Sequence, residues 1–419
     1  METVKLINFI IGLIFFVCYS YQFFYILVPF VKKERPHERT ELHRYAVLIS
    51  ARNEELVIGN LLDSISAQDY PSRLVRVFVV ADNCTDMTAQ IARDHGAAVY
   101  ERFNSEQVGK GYALEYLIDK ILEEYGDVFD AYMVFDADNL LSEDYISCMN
   151  ETFSDGYGIV TSYRNSKNYG DNWISAGYAL WFLREAKYLN NARYLLGTSC
   201  AVSGTGFMFS REVMRRCGGW PFHLLVEDIE FTVHNIVNGE KVGYCPKAVL
   251  YDEQPTTFAQ SWRQRMRWAR GYVQILQRYG GRLVKGIFKK RSFSCYDMTM
   301  NIAPAVVLSL FGLLINIGAG IYSVYTGGGT DILLQSFGQL VLNTYLMMFV
   351  IGAITTVTEW RNIYCPAPKK VLYAFTFPLF MLTYLPICIA AMFRPVKWEP
   401  IVHNRVRTLS EVRSDCSAA

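Results

Sequence analysis

Two aspartates two residues apart, Asp136 and Asp138 in Asp136-Ala137-Asp138-Asn139, have the type and spacing for a chemical task. Carboxylates set this close offer hard oxygen ligands, and a Mg²⁺-like ion takes one or two of them together with substrate phosphate oxygens. A solvated turn would show the same pair. Glu54, in Ala51-Arg52-Asn53-Glu54, and Asp82, in Asp82-Asn83-Cys84-Thr85-Asp86, stand in comparable settings. Asp82 could accept hydrogen bonds from a base or ribose, or serve as an acid favouring a helix start. Glu227 and Asp228 carry the same two readings, and Lys110 could meet a phosphate or a carboxylate. Gln264, Arg267 and Trp268 lie at i, i+3 and i+4, so in a helix they share one face. That face offers an amide, a planar clamp for phosphate oxygens and a flat surface for a sugar ring. A juxtamembrane helix with snorkelling arginines and an interfacial tryptophan would carry the same residues.

These candidates need elements that deliver them to one place. Arg44 to Ser50 reads as a buried strand, followed by Ala51 to Glu55 and a helix to about Gln68. Leu74 to Ala81 is a second expected strand, ahead of a helix ending near Gly96, and Ala97 to Arg102 is a third. Gly109-Lys110-Gly111 opens an amphipathic helix to about Tyr125, and Phe129 to Phe135 is a fourth strand running into Asp136. This alternation predicts βαβ units, an α/β fold and a mostly parallel sheet. Such sheets bind ligands beyond the carboxyl ends of their strands. Glu54, Asp82 and Asp136 all follow strand ends, so they are expected to line one crevice. Beyond Asn165 the pattern loosens into an aromatic helix over Trp173 to Arg193, the short strand Phe207 to Ser210 and a helix opening at Val226.

The 419 residues leave room for two or three domains, and a net charge of +1 gives no bulk argument for a nucleic-acid partner. Apolar runs at 5–31, 300–325, 333–357 and 371–393 are each long enough to cross a hydrocarbon core of roughly 30 Å. The expected order is a transmembrane helix (1–35), an aqueous domain (40–275), an interfacial amphipathic segment (276–298), a C-terminal membrane region (299–395) and a basic tail (396–419). The first run is too long for the apolar part of a cleaved signal. Lys32 and Lys33 directly after it place the domain in the cytoplasm and the chain in the cell membrane as a multi-pass protein. Pro378 and Pro386 predict that the last run is broken or re-entrant. The ten cysteines show no C-x-x-C and the six histidines no helical pair, so neither suggests a zinc site. A transporter would need ionisable groups in its spans or a Walker-type loop; the runs hold almost none, and no G-x-x-x-x-G-K-[ST] occurs.

In order and spacing these motifs resemble the inverting, nucleotide-sugar-dependent glycosyltransferases of the GT-A fold. More narrowly, they are similar to the membrane-embedded processive branch: cellulose, hyaluronan, chitin and poly-N-acetylglucosamine synthases. The resemblance spans about residues 44–272. It rests on Ala51 to Glu54, Asp82 to Asp86, Lys110 to Leu114, Asp136-Ala137-Asp138, Ser203-Gly204-Thr205-Gly206, Val226-Glu227-Asp228, and Gln264 with Arg267 and Trp268. Val226 stands where the family has Thr, and Ser50 where it often has Pro. The Phe-x-Val-Thr-x-Lys gating loop of cellulose synthases and the Trp-Gly-Thr-Arg of hyaluronan synthases are not found.

The resemblance implies a UDP-sugar donor held by Ala51, Glu54, Asp82, Lys110, Asp136, Gln264 and Arg267, with Mg²⁺ or Mn²⁺ on Asp138 and Asp136. It implies Asp228, next to Glu227, as general base on the acceptor hydroxyl. Ser203, Gly204, Thr205 and Trp268 would hold a growing polysaccharide acceptor, and the bilayer would surround the spans. UDP-glucose and a β-1,4 or mixed β-1,3/1,4-glucan are the leading expectation. A poly-N-acetylglucosamine, chitin or hyaluronan product, or a single sugar moved to a lipid, are the alternatives.

Overall fold

A computed structural model describes residues 2–34, 36–37, 40–326 and 331–415. An N-terminal helix, α1 (Glu2–Val31), leads into β1 (Tyr45–Ala51), α2 (Ile58–Ser66), β2 (Val75–Asp82), α3 (Thr88–Asp94), β3 (Ala98–Arg102), α4 (Lys110–Tyr125) and β4 (Ala131–Asp136). These are the expected alternating units, with strand ends shifted by one or two residues. Their four strands pair in parallel in the order β3-β2-β1-β4. Apolar strand residues fill both faces of the sheet: Leu48, Phe78 and Val134 pack against α4, while Val47, Ile49 and Met133 pack against α2. Fully buried strands of this kind are what continuous Val/Ile/Leu runs build.

The second half of the sheet departs from the parallel expectation. After β5 (Leu140–Leu141), α5 (Tyr145–Ser154), β6 (Ile159–Ser166), α6 (Trp173–Arg184), a π-helical stretch (Glu185–Asn190) and α7 (Asn191–Leu196) comes β7 (Phe207–Ser210). β7 inserts antiparallel between β4 and β6. α8 (Arg211–Cys217), α9 (Glu227–Val237) and β8 (Val242–Asp252) follow, completing the order β3-β2-β1-β4-β7-β6-β8-β5. β6 and β8 were hard to foresee: Ser162, Arg164 and Asn165 interrupt the apolar pattern of one, and the other loops out Pro246 to Ala248 between paired residues. Proline cannot donate to a ladder, so it sits where pairing is broken.

α10 (Phe258–Lys290) is one continuous helix of 33 residues, capped by Thr257 and closed by Arg291 in the left-handed region at φ 51°. The boundary expected at 275 therefore falls inside a helix, and no separate segment begins at 276. Its buried positions, among them Ser261, Arg265, Ile275, Tyr279 and Leu283, form a stripe with helical period.

α11 (Phe293–Ile302), α12 (Pro304–Tyr325), α13 (Asp331–Thr358), α14 (Ala367–Leu382), α15 (Tyr384–Phe393) and α16 (Leu409–Ser414) complete the chain. Leu6–Val31, Val341–Thr358 and Ala367–Phe393 are long and apolar enough to cross a membrane. Much of the expected run at 300–325 is α12, but the side chains of 304–310, 313, 323 and 324 lie outside the described residues, as do those of 331–337 in α13. The run 367–393 is broken at Thr383, between α14 and α15. Its two halves lie on the α/β domain. Phe380 of α14 packs against Gly177 of α6, where a Cβ would come within 2.3 Å of its ring. The 359–366 loop before it is tied down as well: Asn165 Nδ2 donates to Asn362 O at 2.9 Å, and Lys369 Nζ to Gly170 O at 2.7 Å.

Candidate active site

Strand-end loops deliver the acids. Asn53 after β1 and Asn83 after β2 hold left-handed backbone, at φ 57° and 54°, a conformation asparagine tolerates better than most residues. Each is fixed by its own side chain: Asn53 Oδ1 accepts from Thr85 N at 2.8 Å, and Asn83 Oδ1 from Asn104 N at 2.9 Å. The loops thereby aim Glu54 and Asp82 across the carboxyl edge of the sheet. Asp82 receives Arg102 Nη1 at 2.6 Å from the neighbouring strand end. Asp136 receives the Lys110 ammonium, which also donates to Gly204 O at 2.9 Å. Asp138 Oδ2 accepts a backbone bond from Glu253 N at 2.8 Å. Beside it Asp252, at the end of β8, takes the Arg164 guanidinium. Burial and the nearby Asp138 charge push the Asp252 carboxyl up to about 6, against the pull of Arg164.

The facing half of the site is built differently. Gly206 turns at φ 65° between Ser203 and β7, and a Cβ there would stand 1.8 Å from Leu250. That turn presents the Gly204 amide, which donates to Asp228 Oδ2 at 2.6 Å in the first turn of α9. Burial raises both the Asp228 and Glu227 carboxyls above the usual range, opposed by Lys110 and Arg267. Val226 is buried against α10, where a Cβ on Gly271 would lie 2.6 Å from its methyl. Packing thus occupies the position where the resemblance expected a hydroxyl. Trp268 meets Tyr178 and Phe182 edge to face, at 5.7 and 6.2 Å between ring centroids. Arg267 Nη1 donates to Leu225 O at 3.3 Å, and the buried Gln264 Oε1 has no partner among the described residues.

Glu54, Asp82, Lys110, Asp136, Asp138, Ser203, Gly204, Glu227, Asp228, Gln264, Arg267 and Trp268 line one cavity of about 1910 Å³. Ala51 and Thr205 do not reach it. Ala51 is buried in β1, and the Thr205 hydroxyl is spent on Asn139 Oδ1 (2.5 Å) and the Asp136 amide (2.9 Å). Beyond Trp268 the same cavity continues between α1, α12 and α13, past Asn8, Asn316, Gln339 and Asn343.

A family model described as glycosyltransferase like family 2 matches residues 43–271, the span that holds all of these motifs up to Trp268. The chain belongs to that family. Among its relatives, a probable glycosyltransferase of Bacillus subtilis is 26% identical over 57% of this chain and 57% of its own length. A beta-monoglucosyldiacylglycerol synthase of Synechocystis is 27% identical over 54% and 47%. A poly-beta-1,6-N-acetyl-D-glucosamine synthase of Staphylococcus epidermidis is 24% identical over 59% and 61%. The chain thus spans about half of the length of these curated relatives. A Pyrobaculum calidifontis mannosyltransferase solved with GDP-Man and Mn²⁺ superposes with a TM-score of 0.58, covering 92% of this chain and 98% of that one. At 18% identity that likeness establishes the fold, a GT-A-like mixed α/β sheet.

Within the family 2 domain, six carboxylates line the strand-end side of the cavity: Glu54, Asp82, Asp136, Asp138, Asp252 and Glu253. Four have a cationic partner in His403, Arg102, Lys110 and Arg164. Asp138 has none among the described residues, and with Asp136 it supplies hard oxygen donors that fit a Mg²⁺- or Mn²⁺-type ion. Among the described residues no cluster of three or more His, Cys, Asp or Glu could hold a metal, so substrate oxygens would have to complete the shell. Arg164 and Asp252 lie on the two unforeseen strands and Glu253 directly follows the second, so local pattern did not single them out. His403 and Trp398 also line the cavity, from a tail read only as basic. A Trp, a Pro and a His within the six residues Trp398 to His403, shortly after the last apolar run, were the available signal.

Proposed function

We propose that this protein is a membrane-embedded, inverting β-glycosyltransferase that uses a UDP-sugar and extends a polysaccharide. The observation that carries the reading is the continuity of the cavity from the donor carboxylates past Trp268 to polar side chains between the apolar helices. A hydrophilic product cannot cross hydrocarbon unaided and needs such a protein-lined path.

In this reading Glu54, Asp82 and Asp136 hold the nucleotide-sugar, with Asp138 and Asp136 placed to bind Mg²⁺ or Mn²⁺. Such an ion, when bound, neutralises charge on the departing diphosphate. Lys110 and Arg267, both facing the cavity, stabilise the same developing charge. Asp228 takes the proton of the acceptor hydroxyl as its oxygen attacks the anomeric carbon and UDP leaves from the opposite face, giving a β product. The Gly204 amide orients that carboxylate, and the raised proton affinities of Asp228 and Glu227 suit a base. Trp268 gives the acceptor sugar a flat seat. UDP-glucose and a β-1,4 or mixed-linkage glucan are the preferred donor and product.

Membrane topology follows from parity. Lys32 and Lys33 put the domain in the cytoplasm, and Lys32 Nζ donates to Leu195 O at 3.2 Å on the domain. α12 leaves and α13 returns, since the loop after α13 is bonded to β6. Both ends of 367–393 then lie on the domain side, so α14 and α15 form an interfacial pair instead of a crossing.

A lipid acceptor is the second reading. Apolar side chains such as Phe15, Phe23, Ile26 and Phe311 line the membrane end of the cavity, and one relative is named for a glucosyl-diacylglycerol product. Purified protein in vesicles, given each UDP-sugar in turn, separates the two. High-mass β-linked product with UDP release supports the polymerase; only monoglycosylated lipid overturns it.

A further inference from the structure

The donor end of the cavity is not closed by the family 2 domain alone. Residues 398–401 and 403, more than 120 positions beyond the family-matched span, line the cavity together with Glu54, Asp82 and Asp138. We infer that His403 is a donor-site positioning residue, delivered by a C-terminal strap, that neutralises Glu54 so that the cleft can accept an anionic nucleoside diphosphate. This rests on the donor assignment proposed above and adds a residue and a charge to it.

The strap is fixed at several points. His403 Nδ1 lies 2.9 and 3.1 Å from the two Glu54 oxygens. The next two backbone amides, Asn404 and Arg405, each donate at 3.1 Å to one oxygen of Glu253. Arg405 Nε pairs with Asp171 at 2.9 Å. Upstream, the Arg52 guanidinium stands 5.4 Å from the Trp398 ring, and Gly109 faces the same indole. Downstream, Val412 is buried with Leu140 and Tyr251, and Arg413 grips Glu143 through bonds of 2.9 and 3.1 Å.

Electrostatics give the strap a purpose. Without it, Lys110 and Arg164 answer Asp136 and Asp252, Arg102 answers Asp82, and Glu54, Asp138 and Glu253 remain uncompensated at the mouth. An incoming diphosphate would meet three bare carboxylates. With the strap seated, Glu54 is paired with the His403 ring and Glu253 with two amides. Asp138, whose charge also acts on His403, has no cation in ion-pair contact among the described residues and stays available to a divalent ion. Burial by itself would lower the His403 pKa, but Asp138, Glu54 and Glu253 outweigh it and push it up to about 10. Glu54 is raised by burial and pulled back by the same histidine.

The experiment uses the full chain in detergent. UDP affinity is measured by calorimetry, donor KM and kcat by UDP release, and strap seating by tryptic cleavage after Arg405 and Arg407. His403→Gln keeps a hydrogen-bond donor and removes the charge; it should weaken UDP and raise donor KM by about tenfold, the scale of one charge-assisted hydrogen bond. kcat should stay nearly unchanged, because His403 acts through Glu54 and not on the reacting atoms. His403→Lys, which retains the charge, should recover most of the affinity. Cleavage after Arg405 and Arg407 should be slow in the wild type and faster in His403→Gln. Unchanged or tighter UDP binding in His403→Gln overturns the inference, since a strap that merely blocks the cleft would compete with the donor. Rapid wild-type cleavage at those arginines overturns it independently. A wild type that binds no UDP while its strap is protected sinks the donor reading itself, and the role of His403 with it.

Discussion

The strand-end side of the cavity, the donor end in the reading proposed above, and the α10 side differ in how far their polar groups are already paired, although Arg52 Nη1 on the first is also buried without a partner among the described residues. At the donor end, four of the six carboxylates already have a cation, and bonds such as Arg102 to Asp82 (2.6 Å) are buried in place. On the α10 side, Gln264 Oε1 is buried with no partner among the described residues, and Arg267 has one long bond to a carbonyl. A buried polar group left without a partner costs on the order of 1–3 kcal/mol, so it marks where a ligand can contribute. The donor end is therefore organised before the donor arrives. The α10 side is completed by what binds there: in that reading, the departing diphosphate at Arg267 and the acceptor sugar at Trp268. Strand-end loops pinned by Asn53 and Asn83 suit the first task, and one long helix face suits the second.

The sharpest way to break this contrast is Asp138→Asn. As the acid without a cation at the prepared end, it should lose turnover by at least about 10³-fold, several kcal/mol of charge stabilisation. Circular dichroism should be unchanged, and EDTA should silence the wild type. Full activity in excess chelator would remove the metal from the donor end.

Asp228→Asn comes next, with transfer down at least about 10²-fold as expected for a lost general base. UDP affinity should survive, because this carboxylate belongs to the acceptor end. Loss of UDP binding with turnover intact would move Asp228 to the other half of the comparison.

Trp268→Ala removes a stacking surface of roughly 1 kcal/mol. Polymer yield should fall several-fold while background UDP release changes less. Equal polymer length and yield in variant and wild type would take Trp268 out of acceptor binding.

The smallest effect is in pH. Burial raises the Asp228 and Glu227 carboxyls, so the transfer rate should decline on acidification with a midpoint above the ordinary carboxylate range. The stability sign is the reverse. Acids that bind protons more tightly when folded stabilise the fold below their unfolded pKa, and that contribution disappears as pH rises through the raised value. Asp228→Asn should therefore gain thermal stability over the wild type at pH 8 and lose that advantage near pH 4. A rate that is flat down to pH 4 would show that neither carboxyl titrates where burial puts it.

How much of this was legible beforehand depended on range. Strands β1 to β4 and the acids after them followed from local alternation, because a buried parallel strand needs a short apolar run and little else. The shared face of Gln264, Arg267 and Trp268 followed from helix geometry alone. β6 and β8 did not follow. Their polar and proline positions are tolerated by pairing with each other at a bulge, which local composition does not encode.

The sequence by itself determined the family, the acids at the strand ends and the shared helix face of Gln264, Arg267 and Trp268, since each is a pattern within a few residues of chain. Only the tertiary structure decided which acid has a cation, that the last apolar run lies along the domain, and that the tail returns to the donor cleft. The Glu54–His403 pair joins residues 349 apart. No local propensity specifies such a contact, because it exists only once the sheet edge, α10 and the strap are packed and water is excluded between them.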